Sequence, residues 1–256
     1  DVCSSDLYTH DDWMWFYFEP DVVQYLETHL LQIGNAARSL DVRLSFHPGQ
    51  FCVLASENPD VVERSILEFE YHCDLIRYMG YGKQFQDFKC NVHVGGKQGP
   101  AGIKAAMRKL SPEARNCLTI ENAEFTWGLD ASLELVDTCA LVLDIHHHWI
   151  NSGQYIYPTD TKFKQVQDSW RSIRPTIHYS VSREDVLVDH CGRTLPNFAE
   201  LKSSGYTSAK LRAHSDFYWN QACNDWALTF LPFADIMCES KEKNLASTEF
   251  AKNVQQ

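Results

Sequence analysis

Short apolar segments of strand length alternate with segments of helical apolar spacing along most of this chain. The strand-like segments are residues 42–46, 90–94, 118–122, 140–144, 176–179 and 235–239. Apolar positions three and four residues apart predict helices over 21–37, 58–79, 101–110, 129–138 and 161–171. Repeated strand–helix units predict a parallel sheet that is covered by helices on both faces.

The residues that end the strand-like segments share one chemical character, because each could bind a metal ion. They are His47, His93, Glu121, Asp144, His178 and Glu239. The strand ends of a β/α barrel carry its active site, whereas an open doubly wound sheet gathers its site at one switch point. This recurrence predicts the α/β class and a TIM-type (β/α) barrel that forms one domain over residues 1–256.

The N-terminus changes this expectation in one respect. The chain begins without Met and runs quickly into an aromatic-rich segment, so we expect an N-terminally truncated barrel whose first strand or strands are missing. Residues 1–7 read like a translated sequencing adapter, and no function is assigned to them. Residues 181–211 are rich in Gly, Ser and charge without a clear period, which predicts a long insertion.

The segment Asp144-Ile145-His146-His147-His148 is the strongest chemical signal in the chain. An acid and three imidazoles at a strand end can supply a carboxylate ligand, a nitrogen ligand and a supporting partner. Strand geometry would put Asp144 and His146 on one side unless the chain turns there. The alternative interpretation is a solvated loop that is rich in histidine.

The other strand-end residues extend this signal to a metal cluster. Glu121 and Glu239 end apolar strands, where a buried carboxylate needs a cationic partner. His214, with Asp216 two residues later, adds a further imidazole. Mixed His and carboxylate ligands suit Mn²⁺ or Zn²⁺ better than Mg²⁺. The ligands exceed the needs of one ion, and two or more ions are the usual device for hydrolysis at phosphorus.

Composition limits the possible partners and location. The net charge of −11 argues against general coating of nucleic acid, although bound cations or a local basic rim would offset it. The nine cysteines form no C-x-x-C pair, which indicates reduced thiols rather than a cysteine zinc site. No membrane-spanning stretch or export signal is found in the sequence, so we expect a cytoplasmic or nucleoid-associated protein that is not secreted.

Seven short motifs together resemble the UV damage endonucleases, repair enzymes related in fold to endonuclease IV. The motifs run in the family's order over residues 41–245. They are His47-Pro48-Gly49-Gln50-Phe51, Val92-His93-Val94-Gly95-Gly96, Glu121-Asn122, Asp144-Ile145-His146-His147-His148, Ile177-His178-Tyr179-Ser180, His214-Ser215-Asp216 and Glu239-Ser240-Lys241.

The resemblance implies a metal-dependent, monomeric endonuclease that nicks damaged double-stranded DNA on the 5′ side of UV photoproducts. It implies two or three divalent ions, with Mn²⁺ expected first and Zn²⁺ second. The implied ligands are His47, His93, Glu121, Asp144, His147, His178, His214 and Glu239. The implied catalytic groups are Glu121, Asp144, His178 and Glu239. Gln50 and Phe51 match the family's polar–aromatic pair that probes the duplex and fills the space of a flipped lesion.

Some features depart from the family or favour another enzyme. The family has a lysine, thought to be modified into a metal-bridging group, two residues before the histidine that matches His178, and Thr176 stands there. A catalytically impaired barrel that only binds metal is therefore one alternative. The other is a xylose isomerase-like sugar isomerase or epimerase, which also collects Glu, Asp and His at strand ends and suits an acidic protein. An isomerase needs fewer imidazoles and no equivalent of Gln50 and Phe51.

Overall fold

The computed structural model describes residues 10–255, so the prediction for residues 1–7 lies outside the described residues. The chain forms two compact units. The first contains the residues up to Ile120 together with Asp137–Ala140, and the second contains Glu121–Val136 and the residues from Leu141 onward. All six predicted strands are present, at the predicted positions to within three residues at either end.

The first unit begins with a 3-10 turn at Met14–Phe18 and contains three neighbouring strands in the order β1-β2-β3, with β1 and β2 parallel. Its elements are α1 Pro20–Ser39, β1 Ser45–Phe46, α2 Pro59–Tyr78, β2 Lys89–His93, α3 Gly99–Met107, α4 Pro112–Cys117 and β3 Leu118–Glu121. The predicted helix over 58–79 is α2, and the Asn58 side chain caps it by accepting from the backbone N–H of Asp60. The six-residue helix α4 was not predicted, because it is too short to show a period.

The second unit contains the parallel neighbours β4, β5 and β6. Its elements are α5 Leu129–Leu133, β4 Ala140–Asp144, α6 Ile145–Ser152, α7 Thr161–Ser169, β5 Thr176–Tyr179, α8 Phe198–Ser203, α9 Ser208–Leu211, α10 Gln221–Leu228, β6 Asp235–Cys238, α11 Lys243–Ala251 and a 3-10 turn at Lys252–Gln255. The register aligns Asp144 of β4 with His178 of β5. It also aligns Tyr179 with Cys238 of β6, the residue before Glu239.

The core of the second unit contains large side chains that bond to the backbone of the strands and loops. Trp170 is fully buried and donates its indole N–H to the carbonyl of Leu141 on β4 over 2.7 Å. Trp226 donates in the same way to Ile156 over 2.8 Å. Phe163 and Phe230 meet edge to face at 5.0 Å between ring centroids. These contacts hold α7 and α10 within the unit that carries β4, β5 and β6.

The predicted insertion over residues 181–211 is an ordered part of the second unit. Leu187 and Leu211 from this segment are buried in a cluster with Trp149 and Ile150 of α6. The two ends of the segment are joined, because Arg183 N donates to Ala213 O over 3.1 Å and Ser215 N donates to Val181 O over 3.0 Å. The sequence showed no period here because the helices are as short as four residues. Within residues 10–255, no helix has the length and apolarity that a membrane span requires.

Gly96, in the turn after β2, allows a close approach that a larger residue would block. Its φ is +83°, and a Cβ atom there would lie 2.2 Å from the carbonyl oxygen of Ala55. That oxygen also accepts from Gln98 N over 3.0 Å, so it cannot retreat easily. The turn that follows His93 therefore depends on a glycine.

We expect Gly96→Ala to lower the free energy of unfolding by about 3 kcal/mol, combining left-handed backbone strain with overpacking. Urea denaturation would measure the change. The control is Gly205→Ala, where φ is +91° but a Cβ would meet nothing within 4 Å. We expect that variant to lose only about 1 kcal/mol from backbone strain. Equal losses in the two variants would contradict the close-approach argument.

Candidate metal centre

Asp144 stands where β4 ends and α6 begins, and its two carboxylate oxygens have different roles. Oδ1 accepts from the backbone N–H of His147 over 2.7 Å and so caps α6. Oδ2 is buried and has no hydrogen-bond partner among the described residues. The backbone of Asp144 is held by Asn122, whose side-chain oxygen accepts from Asp144 N over 2.9 Å and whose NH₂ donates to Asp144 O over 3.0 Å. The carboxylate is thus fixed in direction.

Four of the predicted site residues meet at the ends of the strands. Glu121, Asp144, His178 and Glu239 each offer one ligand atom, and these atoms all lie within 4.8 Å of one another. His178 Nδ1 lies 2.9 Å from Glu239 Oε1 and 3.1 Å from Glu121 Oε2. The strand register explains the meeting, because it sets Asp144 beside His178 and sets Glu239 directly after the partner of Tyr179.

The electrostatics of this cluster suit a bound cation. Glu121 and Asp144 are fully buried, and the Glu239 side chain is 21% exposed. Burial raises the pKa of Asp144 to about 7, and the charges of Glu121 and Glu239 add to the rise while His147 opposes it. Burial works against the ionised form of Glu239 too, but His178 brings the pKa of Glu239 below its ordinary value. Three carboxylates and one imidazole fit a divalent ion, and the Oδ2 atom of the Asp144 carboxylate has no other partner among the described residues.

His147 faces the same carboxylates, and its ring is oriented by the backbone. Nδ1 donates to the carbonyl of Asn122 over 3.1 Å and lies 3.4 Å from Glu121 Oε1 and 3.5 Å from Asp144 Oδ2. Burial opposes its protonation, yet the charge of Asp144, followed by Glu121, raises the pKa of His147 well above its ordinary value. When the ring is neutral, Nε2 carries the lone pair, which is the usual arrangement of a metal-binding histidine.

His214 has a similar orientation at the joined ends of the 181–211 segment. It forms an antiparallel bridge with Ser182, and its Nδ1 donates to the carbonyl of Glu239 over 2.8 Å. Its ring centroid lies 6.2 Å from that of His147. Burial lowers the pKa of His214, which favours the neutral form that can bind a metal. His214 is therefore on the same side of the second unit as His147.

The other two imidazoles of the His-His-His run serve the interior. Ser182 Oγ donates to Leu211 O over 2.6 Å, so it accepts from His146 Nε2 over 3.3 Å. Ser180 Oγ then donates to His146 Nδ1 over 2.8 Å. Burial lowers the pKa of His146 well below its ordinary value and that of His148 to about 4. The chain does turn after Asp144, because α6 starts at Ile145 and each helical residue is rotated by about 100° from the one before. The alternative of a solvated loop is wrong.

The first unit holds the remaining predicted residues. His47 directly follows β1 and His93 ends β2, and their ring centroids lie 5.1 Å apart. Nδ1 of His47 donates to the carbonyl of Pro48 over 2.9 Å. Gln50 and Phe51 are exposed on the loop after His47, and Phe51 shows 78% of its surface to solvent. This places a large aromatic side chain in water on the loop where the sequence predicted a lesion probe.

Several supporting residues were not identified from the sequence. Asn122 is the main one, and its place directly after Glu121 at the end of an apolar strand was the available signal. Ser65, buried on α2, anchors the chain just after Phe51, because its Oγ accepts from Val53 N over 2.8 Å. Ser180 and Ser182 hold His146. A serine in a helix or loop carries no pattern that distinguishes such a bond from solvent exposure.

Comparison with known proteins decides the family. The family model for UV-endonuclease UvdE matches residues 4–256. The chain belongs to the UV-endonuclease UvdE family. The resemblance predicted from the motifs is therefore confirmed, and the match extends beyond residues 41–245, over which those motifs run.

Relatives of this UvdE-family chain also establish the fold class. A UV-damage endonuclease of Schizosaccharomyces pombe is 26% identical over 249 residues, which cover 90% of this chain and 37% of that protein. The crystal structure of SacUVDE is 25% identical with a TM-score of 0.71, covering 97% of this chain and 76% of that one. Endonuclease IV from Thermus thermophilus is 12% identical with a TM-score of 0.57, covering 93% and 81%. The predicted α/β class of TIM-barrel type is confirmed.

We expect Asn122→Ala to weaken Mn²⁺ binding about 10- to 100-fold, because the residues that orient metal ligands typically contribute that much. Isothermal titration calorimetry would measure the affinity. The control is Asn116→Ala, which removes another side-chain bond to the backbone, the 3.0 Å contact with Gly82 O in the first unit. That variant should lose stability and keep its Mn²⁺ affinity. Unchanged affinity in Asn122→Ala would show that the cluster does not depend on the two hydrogen bonds between the Asn122 side chain and the Asp144 backbone.

Proposed function

We propose that this UvdE-family chain is a metal-dependent DNA repair endonuclease that nicks damaged double-stranded DNA on the 5′ side of UV photoproducts. The buried cluster of Glu121, Asp144, His178 and Glu239 is the observation that supports the chemistry. The family supports the substrate, since the S. pombe relative is a UV-damage endonuclease. The chain spans only 37% of the length of that relative, so the activity is a proposal for this chain.

Glu121, Asp144, His178 and Glu239 would hold divalent ions, with Nε2 of His147 and of His214 as further ligands. Bound ions supply the Lewis acidity that lowers the pKa of water and stabilises the oxygen that leaves phosphorus. Glu239 is the most exposed of the four groups in the cluster and would be the one nearest the substrate. His178 Nδ1 lies 3.1 Å from Glu121 Oε2 and 2.9 Å from Glu239 Oε1, so it is near enough to these carboxylates to bind the same ion.

Residues of the first unit would complete the enzyme. We propose that His47 and His93 are further ligands and that the site takes two or three ions, Mn²⁺ first and Zn²⁺ second. Gln50 and Phe51 would probe the duplex and occupy the space of the flipped lesion, which fits the exposure of the Phe51 ring. In this proposal residues 1–256 act as one barrel domain and as a monomer, in the cytoplasm or with the host nucleoid.

The two alternative functions have weaker support. A sugar isomerase would explain the acidic residues but not the match to the UvdE family over residues 4–256. A barrel that binds metal without cutting DNA is suggested by Thr176, which begins β5 and is buried. Thr176 lies two residues before His178, so the two side chains share a face of the strand, and a hydroxyl there cannot replace a modified lysine as a bridging group.

Nicking of a defined lesion tests the proposal. We expect the full-length protein with Mn²⁺ to cut a duplex that carries one cyclobutane dimer, with the cut on the 5′ side of the dimer. We expect it to leave the undamaged duplex intact. Glu121→Gln should abolish cutting, because it removes a buried charge from the cluster, whereas Phe51→Ala should mainly reduce the preference for damage. Glu113→Gln, a half-buried change on α4 outside the cluster, is the control. If both duplexes stay intact while a ketose–aldose pair interconverts, the repair proposal is wrong.

Metal binding should be visible as stability. We expect Mn²⁺ to raise the thermal midpoint and EDTA to reverse the rise, because a cation relieves the repulsion among three neighbouring carboxylates, two of which are buried. When the free Mn²⁺ concentration is about 100 times the dissociation constant, one bound ion adds about 2.7 kcal/mol to the free energy of unfolding. Differential scanning fluorimetry would measure the shift, which Glu121→Gln should reduce and Glu113→Gln should retain. A thermal midpoint that is the same with and without Mn²⁺ would contradict the proposed metal site.

A further inference from the structure

The loop after β3, residues 123–128, presents an exposed aromatic ring on a rigid backbone. Phe125 shows 48% of its surface to solvent. Its carbonyl accepts from the side-chain NH₂ of Asn151 on α6 over 2.6 Å, and Ala123 N donates to Trp127 O over 2.9 Å. Asn151 also packs closely against Gly128, where a Cβ atom would lie 2.2 Å from its amide oxygen. The backbone that carries the ring is therefore held in place although nearly half of the side chain is in water.

Arg212 lies over this ring and keeps part of its hydrogen-bonding capacity. Its guanidinium carbon lies 5.2 Å from the centroid of Phe125, and Nη1 donates to the carboxylate of Glu124. The Arg212 side chain is 49% exposed. Among residues 10–255, neither Nε nor Nη2 of Arg212 has a hydrogen-bond acceptor. A guanidinium has five N–H donors, so most of them remain available to an anion.

The pair belongs to the edge of the second unit that carries the metal centre. Glu124 comes three residues after Glu121, and Arg212 comes two residues before His214. The contact between Arg212 and Glu124 joins the chain just before His214 to the loop that follows Glu121. The Phe125–Arg212 pair contributes no ligand itself.

The simplest interpretation is a surface contact that joins two loops. Two observations favour a ligand instead. A joining contact would normally cover the aromatic ring, whereas nearly half of Phe125 is in water. A chain of net charge −11 also needs local cations to approach a phosphate backbone, and Arg212 is such a cation beside the loop that follows Glu121, to which it bonds through Glu124. An aromatic ring with a guanidinium is a combination that contacts nucleic acid through stacking and charge.

We propose that Phe125 and Arg212 form a second contact with the DNA substrate, separate from the loop of Gln50 and Phe51. Arg212 binds a backbone phosphate near the cut, and Phe125 packs against the adjoining sugar and base. The contact fixes the position of the strand and is indifferent to sequence. This inference rests on the proposed endonuclease function.

The test measures binding of a fluorescent 30-base-pair duplex with one cyclobutane dimer to the full chain in EDTA, by anisotropy at several salt concentrations. We expect Arg212→Gln to weaken binding about 3- to 10-fold and to reduce the slope of log affinity against log salt by about 0.9, as for one lost phosphate contact. Phe125→Ala should weaken binding at least about fivefold and leave the slope unchanged. Both losses should be equal on undamaged duplex.

Matched variants separate a DNA contact from a structural one. Arg212→Lys keeps the charge and should keep the wild-type slope. Lys164→Gln removes another exposed cation from an ion pair, the 2.6 Å contact with Asp168, and should change neither affinity nor slope. If Arg212→Gln lowers the thermal midpoint but leaves the salt slope unchanged, the pair is a structural contact and the inference is overturned.

Nicking in Mn²⁺ by the wild-type chain distinguishes this inference from the proposed function. If the wild type nicks the damaged duplex while Arg212→Gln and Phe125→Ala bind DNA as well as the wild type does, only the second contact is refuted. If the wild type neither binds nor nicks the duplex, both proposals fail. Loss of affinity confined to the damaged duplex would place the pair at the lesion and would also overturn the inference.

Discussion

Glu121, Asp144 and Glu239 lie together at the strand ends, and the first two are fully buried. Within the cluster one imidazole, that of His178, lies within 3.1 Å of two of them. Like charges in a buried site repel strongly, and desolvation adds to the cost of keeping them ionised. The raised pKa of Asp144 expresses that cost. A bound cation would offset this cost, and the surrounding structure holds the acids close together.

The arrangement uses the backbone more than other side chains. Asn122 grips both polar groups of the Asp144 backbone, and Asp144 in turn caps α6. His147 and His214 each donate Nδ1–H to a carbonyl, so their rings have one orientation before any ion arrives. Backbone partners are fixed by the fold and lose little entropy when they are used. A centre built in this way is organised in advance, as the hydrolysis that we propose would require.

The 181–211 segment contributes to the same organisation from outside. Its apolar residues pack on Trp149 and Ile150, which are on the helix that carries His147. Where its two ends meet, Ser182 accepts a hydrogen bond from His146 and pairs with His214, which lies just after the segment. A segment that looked like an insertion thus supports two imidazoles. Arg212 directly follows this segment, so the segment's end adjoins the contact that we propose for DNA.

The sequence by itself determined the six strands, five of the eleven α-helices within residues 10–255 and the types of residue at the strand ends. Strand patterning is local, so the six apolar segments could be found from the sequence. The metal-binding residue types that end these segments predicted a site at the strand ends. It also identified the family, because ordered motifs survive where overall identity is near 25%.

The family resemblance selected His147 from the His-His-His run, but only the tertiary structure shows why this imidazole faces the acids. The run could be a strand end, a loop or a helix, and Asp144 selected the helix by capping it. Helical rotation then turned His147 to the carboxylates and His146 to Ser180 and Ser182. Asn122 and Arg212 acquired their partners in the same way, over 22 and 88 residues of chain. Such contacts join residues that no local pattern relates, so they exist only once the chain has folded.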